Sequence, residues 1–248
     1  MWDADQYEKF RGERARPFFD LLSRIPDRSY KSIVDLGCGT GDLTAVLADH
    51  WPEARVIGVD TSDEMLKAAE EHADPGRLDF VKDDLATWKP AQPVDLIVAN
   101  ASFQWVPGHE SLLARMAAAL GPKGVLAVQM PANFDSPSHV LLKETVAGRV
   151  ELRHDIVLPP GRYVEILHGL GLHADAWETV YQHVLPGKDA VLEWVKGTAL
   201  RPVLKALSGA EREELVAAYA AKLRAAYPET ASGTIFPFRR IFFVAARR

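Results

Sequence analysis

The sequence predicts an α/β protein with a doubly wound, mostly parallel seven-stranded sheet and a helical cap insertion. Three observations lead to this prediction. Short apolar segments alternate with helical stripes from residue 31 to residue 130, as they do in parallel βαβ units whose sheets are covered on both faces. The segment RRIFFVAA, residues 239–246, is apolar on both faces, as an interior strand would be. The 248 residues suffice for one large domain with a sizeable core.

The predicted core elements follow one another regularly. Helical spacing over residues 15–22 ends before Pro26. The later helices are marked by apolar residues three and four positions apart or by capping-box spacing, at Leu43, Val46 and Leu47, at Thr61 and Glu64, and at Leu112, Leu113, Met116 and Leu120. The predicted strands are the apolar segments 31–37, 54–60, 78–85, 94–101 and 121–130.

We treat residues 1–248 as a single domain, because no linker, repeat or low-complexity segment divides the chain. A Pro-Pro-Gly turn at 159–161 interrupts the region after the core. The parts of the domain, in chain order, are a helical N-terminal segment at 1–30, the alternating core at 31–130, helical regions at 131–172 and 186–230, and the last strands of the sheet at 173–185 and 235–247.

Composition and charge narrow the class of function. The net charge is -5 and the pI is about 5.9, so we expect a small-molecule partner, and neither nucleic acid nor a membrane. The single cysteine, Cys38, excludes an intrachain disulfide and a zinc-thiolate cluster. The histidines lack metal-ligand spacing, so no metal is expected. The charged N-terminus and the absence of any stretch of about 18 apolar residues predict a cytoplasmic protein.

A glycine-rich turn follows the first predicted strand. In VDLGCGTGDLTAVL, residues 34–47, Gly37, Gly39 and Gly41 occupy alternate positions. Missing Cβ atoms let a backbone turn sharply and approach a ligand, and ligands of parallel sheets bind at this edge. Asp60 follows Gly41 by 19 residues and ends the second strand, where a carboxylate can accept hydrogen bonds from ribose hydroxyls. The alternative for so short a motif is a tight turn without a ligand.

Two other nucleotide-binding motifs fit the glycine loop less well. The spacing is G-x-G-x-G rather than the dinucleotide fingerprint G-x-G-x-x-G. Asp42 would repel a pyrophosphate but would tolerate a cationic ligand. These features disfavour NAD and FAD, and no P-loop motif occurs.

Four features together resemble the class I S-adenosylmethionine-dependent methyltransferases: VDLGCGTG, an acid ending strand two, an acid after strand three, and LIVANASFQW after strand four. The resemblance implies S-adenosyl-L-methionine as cofactor and S-adenosyl-L-homocysteine as its product. It places the ribose hydroxyls on Asp60 and the adenine amino group at Asp84 and the backbone of Leu85, with Asp83 as the alternative acid. The cofactor-binding residues that it implies are Asp35, Gly37, Gly39, Gly41, Asp60, Asp84, Leu85 and Asn100.

Further segments, several of them outside the core, resemble the trans-aconitate methyltransferase family. They are FRGERARPFFDLLSRIP, NASFQWVPGHESLL, GVLAVQMPANFDSPSHVLL, WVKGTALRP and RRIFFVAARR, and the chain departs from the family pattern around 148–161. The resemblance implies in-line methyl transfer to one carboxylate of trans-aconitate, giving a monomethyl ester. Because a carboxylic acid has a pKa of about 4, the nucleophile is ionised at neutral pH and no general base is required. In this scheme, residues 1–30 form a lid, 31–130 bind the cofactor, and the two helical regions lie on the substrate side.

A tricarboxylate needs cationic and preferably bidentate partners, for which arginine is suited. The candidate substrate-binding residues are Arg14, Arg162, Tyr163, Arg201 and Arg240. Asn100, Gln104 and Trp105 follow strand four, where the methyl group is expected, and can position a carboxylate without supplying a proton. The alternative for Trp105 is a position in the core.

Other interpretations stay open at this point. The chain could methylate another small carboxylic acid or metabolite, or bind S-adenosylmethionine without catalysis. An NAD-dependent oxidoreductase is a third alternative. We expect a monomer or a weak homo-oligomer.

Overall fold

The computed structural model describes residues 11–152 and 157–247, with side chains from residue 15 onward. The chain divides into two compact units. Among the described residues, the larger unit comprises 15–131, 157–178 and 241–247, and the smaller unit comprises 11–14, 132–152 and 179–240. Each unit is therefore assembled from segments that are distant in the sequence.

One sheet contains the strands of the described chain. They are β1 Ser32–Leu36, β2 Arg55–Asp60, β3 Leu78–Lys82, β4 Val94–Asn100, β5 Leu120–Pro131, β6 Leu172–Leu185, β7 Glu229–Thr230 and β8 Gly233–Arg247. Seven of them lie in the order β3-β2-β1-β4-β5-β8-β6, and the two-residue β7 pairs with β8. Strands β1 to β5 pair in parallel. The predicted doubly wound, mostly parallel sheet of seven strands is confirmed, with β7 as an addition that the sequence did not indicate.

The helices alternate with the strands of the larger unit and dominate the smaller one. They are α1 Arg11–Leu22, α2 Asp42–His50, α3 Asp63–Ala69, α4 His109–Ala119, α5 Pro137–Val146, α6 Pro160–Gly169, α7 Ala190–Lys196, α8 Arg201–Ala206 and α9 Gly209–Ala226. Short 3-10 turns occupy Glu70–His72 and Phe103–Trp105. None of the helices in the described ranges is long and apolar enough to cross a membrane.

The strand order reverses direction within the larger unit. The chain runs outward from β1 to β2 and β3, and then returns to β4 on the other side of β1. In parallel sheets a ligand binds at such a reversal, beyond the carboxyl ends of the strands. The apolar residues of β1 and β4 are buried, as expected for strands covered on both faces. The segments that follow β1, β2, β3 and β4 therefore form the candidate site.

The start of α3 lies one residue later than the capping-box prediction. Ser62, rather than Thr61, is the N-cap, and its Oγ accepts a hydrogen bond from the Met65 N–H at 3.3 Å. The reason lies in Asp60, whose Oδ1 accepts from the Ser62 N–H at 2.9 Å. This side-chain turn holds Thr61 outside the helix, so the prediction for Thr61 and Glu64 is wrong.

The third strand ends at Lys82 and not at residue 85 as predicted. The Asp83 N–H still donates to the Asp60 carbonyl at 3.1 Å, but the next peptides turn away from the sheet. The Asp84 carbonyl accepts from the N–H groups of Thr87 and Trp88, at 2.9 and 2.7 Å. The polar pair at 83–84 therefore begins a loop at the ligand-binding edge.

The smaller unit has its own apolar core. Helix α9 packs on α5, and buried side chains of α7, α9 and β8 form one cluster. Trp194 is 1% exposed, and its ring lies 5.8 Å from the ring of Phe236. Tyr219 is fully buried and its hydroxyl donates to the Ser138 carbonyl at 2.7 Å. Helices α5, α7, α8 and α9 thus contribute to a packed core of their own, whereas α6 belongs to the larger unit.

Candidate active site

The glycine loop ties the end of β1 to its neighbours in the larger unit. The N–H groups of Gly37 and Cys38 donate to the Val59 carbonyl at 2.8 and 3.0 Å. Gly37 has φ +84°, and a Cβ on this residue would lie 2.3 Å from the Ser102 Cβ. Because the turn after β4 approaches so closely, only glycine fits at position 37.

The other two glycines have different environments. A Cβ on Gly41, where φ is +80°, would lie 2.8 Å from the Phe80 Cζ. Gly39 has φ +56°, and apart from Gly39 and its two chain neighbours no heavy atom of the described residues lies within 4 Å of the position that its Cβ would take. Gly41 is thus required by packing, whereas Gly39 leaves backbone open to an approaching ligand.

Asp60 is held in a fixed orientation at the end of β2. Its Oδ2 accepts from the Gly39 N–H at 3.0 Å, and its Oδ1 accepts from the Ser62 N–H at 2.9 Å. An ionised carboxylate has about four acceptor positions, so each oxygen keeps capacity for a further donor. Asp60 thus lies against the glycine loop, where its two oxygens can accept hydrogen bonds from the two hydroxyls of a ribose.

Asp35 lies beneath the loop and is only 3% exposed. Its Oδ2 accepts a hydrogen bond from the Thr44 Oγ1 at 2.7 Å. Burial raises the pKa of Asp35 to about 6, opposed by the Thr44 hydrogen bond and reinforced by the charge of Asp60. Asp35 therefore connects β1 to α2, the two elements that the glycine loop joins.

We expect Asp35→Asn to flatten the pH dependence of stability. The folded-state pKa is raised, so the folded chain binds a proton more tightly than the unfolded chain, and this advantage is lost as pH rises through about 6. Relative to the variant, the wild type should lose about 2 kcal/mol of unfolding free energy between about pH 4.5 and about pH 7. Urea unfolding at both pH values measures this difference. With the exposed Asp63→Asn as control, parallel pH profiles for wild type and Asp35→Asn would contradict the prediction.

Asp83 and Asp84 are both exposed after β3. Asp83 Oδ1 accepts from the Asp84 N–H at 2.7 Å, and Asp84 Oδ1 accepts from the Ala86 N–H at 2.8 Å. Leu85 is buried, with 8% exposure. Both acids therefore lie on the surface of the loop after β3. The assignment of the adenine to Asp84 and the Leu85 backbone stays a prediction.

The turn after β4 is fixed by contacts with β1 and β5. Asn100 Oδ1 accepts from Gln129 Nε2 at 2.6 Å, and the Ala101 N–H donates to the Gln129 carbonyl at 2.8 Å. Ala101 has φ +55°, a conformation that costs about 1 to 2 kcal/mol for a residue with a Cβ. The Ser102 Oγ donates to the Leu36 carbonyl at 2.6 Å. Sequence reasoning missed Ser102 and Gln129, although a glutamine within the apolar run of β5 was a signal for the latter.

Gln104 and Trp105 occupy the 3-10 turn that follows. Gln104 is 6% exposed, and its Nε2 donates to the Ala101 carbonyl at 2.5 Å. Its Oε1 is buried and has no hydrogen-bond partner among the described residues. Trp105 is 55% exposed, so the alternative that it anchors the core is wrong. Asn100, Gln104 and Trp105 are thus brought to the same edge as the glycine loop.

The two candidate substrate residues of the larger unit, Arg162 and Tyr163, have partners within the protein. Arg162 is exposed and pairs with Glu165, and its Nη2 lies 3.5 Å from Glu110 Oε1. Tyr163 is fully buried, and its hydroxyl lies 2.6 Å from His109 Nδ1. These contacts do not favour either side chain as a substrate ligand. Sequence reasoning assigned no role to His109, whose partners are distant along the chain.

The smaller unit contains the other two described candidates. Arg240 is 5% exposed, and its guanidinium carbon lies 5.0 Å from the centre of the Phe238 ring. Arg201 is exposed at the start of α8. The side chain of Arg14 lies outside the described part of the structure, as do residues 1–10 of the predicted lid.

Comparison with known proteins assigns the family. The profile of a family described as "Methyltransferase domain" matches residues 33–124, which include the glycine loop and the turn after β4. A trans-aconitate 2-methyltransferase from Streptomyces avermitilis is 52% identical, over 98% of this chain and 96% of the relative. The chain belongs to the trans-aconitate 2-methyltransferase family. A further member, from an Azoarcus species, is 46% identical over 99% of each chain.

Solved structures of low identity share the fold. An S-adenosylmethionine-dependent methyltransferase from Mesorhizobium loti has a TM-score of 0.56 at 18% identity, covering 96% of this chain and 100% of its own. A phosphoethanolamine N-methyltransferase from Haemonchus contortus, solved with S-adenosyl-L-methionine, has a TM-score of 0.56 at 21% identity. It covers 94% of this chain and 52% of its own. This member of the trans-aconitate 2-methyltransferase family thus has the class I methyltransferase fold.

Proposed function

We propose that this chain transfers a methyl group from S-adenosyl-L-methionine to one carboxylate of trans-aconitate and releases the monomethyl ester. The observation that carries the proposal is the 52% identity with the trans-aconitate 2-methyltransferase from Streptomyces avermitilis, which extends over 98% of this chain. The similarity therefore includes both compact units and not the cofactor-binding core alone.

The glycine loop fits the proposed cofactor. Gly39 leaves open the space that a Cβ would fill, and Asp60 is held next to it with acceptor positions to spare. Asp60 would hold the ribose hydroxyls, the glycine loop would lie against the ribose and methionine parts, and Asp84 with Leu85 would meet the adenine. When bound, S-adenosyl-L-methionine supplies an electrophilic methyl group on a sulfonium.

The residues near the proposed methyl position can orient an acceptor without removing a proton. Gln104 carries an amide and Trp105 an indole N–H, neither of which acts as a base near neutral pH. The acceptor carboxylate is already ionised there, because its ordinary pKa is about 4. Holding two reactants in a near-attack geometry contributes about 7 to 11 kcal/mol to lowering a barrier. We therefore assign catalysis to positioning by Asn100, Gln104 and Trp105.

The carboxylates that do not react need positive charge. Arg240 is buried beside an aromatic ring, and such a guanidinium can bind a carboxylate through two parallel hydrogen bonds in a water-poor environment. We assign Arg240 to the substrate, together with Arg201 and Arg14. Arg162 and Tyr163 are left out of this set because of their contacts within the larger unit.

Mass detection of the ester tests the function. Purified protein and S-adenosyl-L-methionine are incubated separately with trans-aconitate, cis-aconitate, citrate and isocitrate. We expect trans-aconitate to gain one methyl group at the highest kcat/KM. If another acid is preferred, the substrate assignment is wrong. Binding of S-adenosyl-L-homocysteine with no transfer to any acid would instead favour a non-catalytic binding protein.

We expect Arg240→Lys to raise the KM for trans-aconitate by roughly tenfold, because lysine keeps the charge but loses the bidentate geometry. The Kd for S-adenosyl-L-homocysteine should stay within about twofold, since the substitution removes no proposed cofactor contact. The matched control is Arg55→Lys, at an exposed arginine on β2 that pairs with Asp79 at 3.1 Å. Equal KM values for the two variants would remove Arg240 from the substrate site.

A further inference from the structure

A buried hydrogen-bonded relay leads from α6 to the turn that carries Gln104 and Trp105. His109, the first residue of α4, is 4% exposed and Tyr163 of α6 is fully buried. His109 Nδ1 lies 2.6 Å from the Tyr163 hydroxyl, and His109 Nε2 lies 3.0 Å from the Phe103 carbonyl oxygen. All of these residues belong to the larger unit.

The direction of each hydrogen bond follows from the groups involved. A carbonyl oxygen only accepts, so His109 Nε2 carries the proton and donates to Phe103. In the tautomer that carries its proton on Nε2, Nδ1 is the acceptor and the Tyr163 hydroxyl donates to it. The hydroxyl oxygen in turn accepts from the Leu158 N–H at 3.1 Å. The Met130 sulfur, at 3.5 Å, is the weaker acceptor for the same hydroxyl proton.

The Phe103 peptide is the point at which the relay reaches the turn. Its carbonyl accepts from the Val106 N–H at 2.9 Å as well as from His109. The Phe103 side chain is fully buried, whereas Trp105, two positions later, is 55% exposed. Fixing the plane of this peptide therefore fixes the direction in which the next two side chains leave the backbone. Other contacts fix the start of the turn, where the Ser102 Oγ bonds the Leu36 carbonyl.

We propose that His109 and Tyr163 are positioning residues, which set the orientation of Gln104 and Trp105 through the Phe103 carbonyl. The inference rests on the function proposed above. It also gives the segment before α6 a role, because Leu158 lies within residues 148–161, the region in which the sequence is predicted to depart from the family pattern. The backbone at Leu158 is connected through Tyr163 and His109 to the turn that orients the acceptor.

Three variants separate positioning from general stability. Tyr163→Phe removes one hydroxyl, His109→Leu removes both ring hydrogen bonds, and His109→Gln restores a donor and an acceptor on one side chain. The matched control is Tyr30→Phe. Tyr30 is 1% exposed, its hydroxyl donates to the Pro26 carbonyl at 2.9 Å, and it precedes β1 at the opposite edge of the sheet.

We expect Tyr163→Phe and His109→Leu each to lower kcat/KM for trans-aconitate by about tenfold, because displaced positioning groups cost rate. The double variant should be no worse than His109→Leu, and His109→Gln should recover most of the activity. The Kd for S-adenosyl-L-homocysteine should stay within about twofold, as should kcat/KM for Tyr30→Phe. Activity losses that are additive, or that Tyr30→Phe reproduces, would overturn the proposal.

Hydrogen exchange provides a readout that needs no substrate. In Tyr163→Phe and His109→Leu, the amides of residues 103–106 should exchange faster by about tenfold, with no such change in Tyr30→Phe. Unchanged exchange at 103–106 would overturn the relay whatever the activity. If wild-type protein forms no ester from trans-aconitate while exchange responds as expected, the substrate assignment fails and the relay stands.

Discussion

Asp60→Ala should weaken the binding of S-adenosyl-L-homocysteine by about 100-fold, since two hydrogen bonds to a charged acceptor are lost. Asp60 also accepts from the Gly39 and Ser62 N–H groups, so its removal frees the loop that lies against the ligand. A ligand would then have to order the loop as it binds, which adds to the cost. Isothermal titration calorimetry measures both the Kd and the expected loss of favourable enthalpy.

The control for Asp60 is a neighbouring acid that lacks these contacts. Asp63, three residues on, has a side chain that is 80% exposed and pairs with Lys82 at 2.6 Å. Exposed ion pairs contribute about 0 to 1 kcal/mol, so Asp63→Ala should leave the Kd within about twofold. Asp60→Asn keeps the hydrogen-bond acceptor on one side and should give an intermediate Kd. Equal Kd values for Asp60→Ala and Asp63→Ala would refute the ribose assignment.

The sequence predicts those parts of the site whose residues occur at characteristic spacings along the chain. The alternation of Gly37, Gly39 and Gly41 after an apolar strand, with Asp60 at the end of the next, requires only the geometry of two adjacent parallel strands. These residues do come together, with the Gly39 N–H 3.0 Å from Asp60. Their roles as cofactor ligands stay predictions, which the Asp60 and Gly39 variants test.

The parts that sequence does not predict depend on contacts between distant segments. His109 has partners six residues before it and 54 residues after it, and nothing in its neighbourhood indicates either one. The sequence predicts Tyr163, next to Arg162, as a substrate ligand, but in α6 its side chain is fully buried. The burial of Asp35 is likewise set by how α2 returns over β1, through Thr44.

The division into two compact units escapes sequence analysis for a different reason. A linker was the expected mark of a boundary, and the chain has none. The smaller unit is built from discontinuous segments, and strands β6 and β8 each continue from one unit into the other. Both strands run without a break across the boundary, so no linker marks the crossing.

Gly37→Ala should mainly lower stability and Gly39→Ala should mainly weaken cofactor binding, although both residues lie in the same loop. At Gly37, the added Cβ would lie 2.3 Å from the Ser102 Cβ in a backbone with φ +84°. The left-handed conformation and the overpacking together should cost about 2 to 5 kcal/mol of unfolding free energy. At Gly39, where φ is +56°, the cost should be only about 1 kcal/mol, because beyond its two chain neighbours no heavy atom of the described residues lies within 4 Å of the added Cβ.

Cofactor affinity should be lowered more by Gly39→Ala than by Gly37→Ala. The methyl group of Gly39→Ala projects into the space that we assign to the cofactor, and should weaken S-adenosyl-L-homocysteine binding by about 10- to 100-fold. Gly41→Ala, with its Cβ 2.8 Å from Phe80 Cζ, should behave like Gly37→Ala in unfolding experiments. Thermal unfolding with and without S-adenosyl-L-homocysteine measures both quantities. A Gly39→Ala variant that binds like wild type would place the cofactor away from this loop, whereas a Gly37→Ala variant as stable as wild type would contradict the close approach of Ser102.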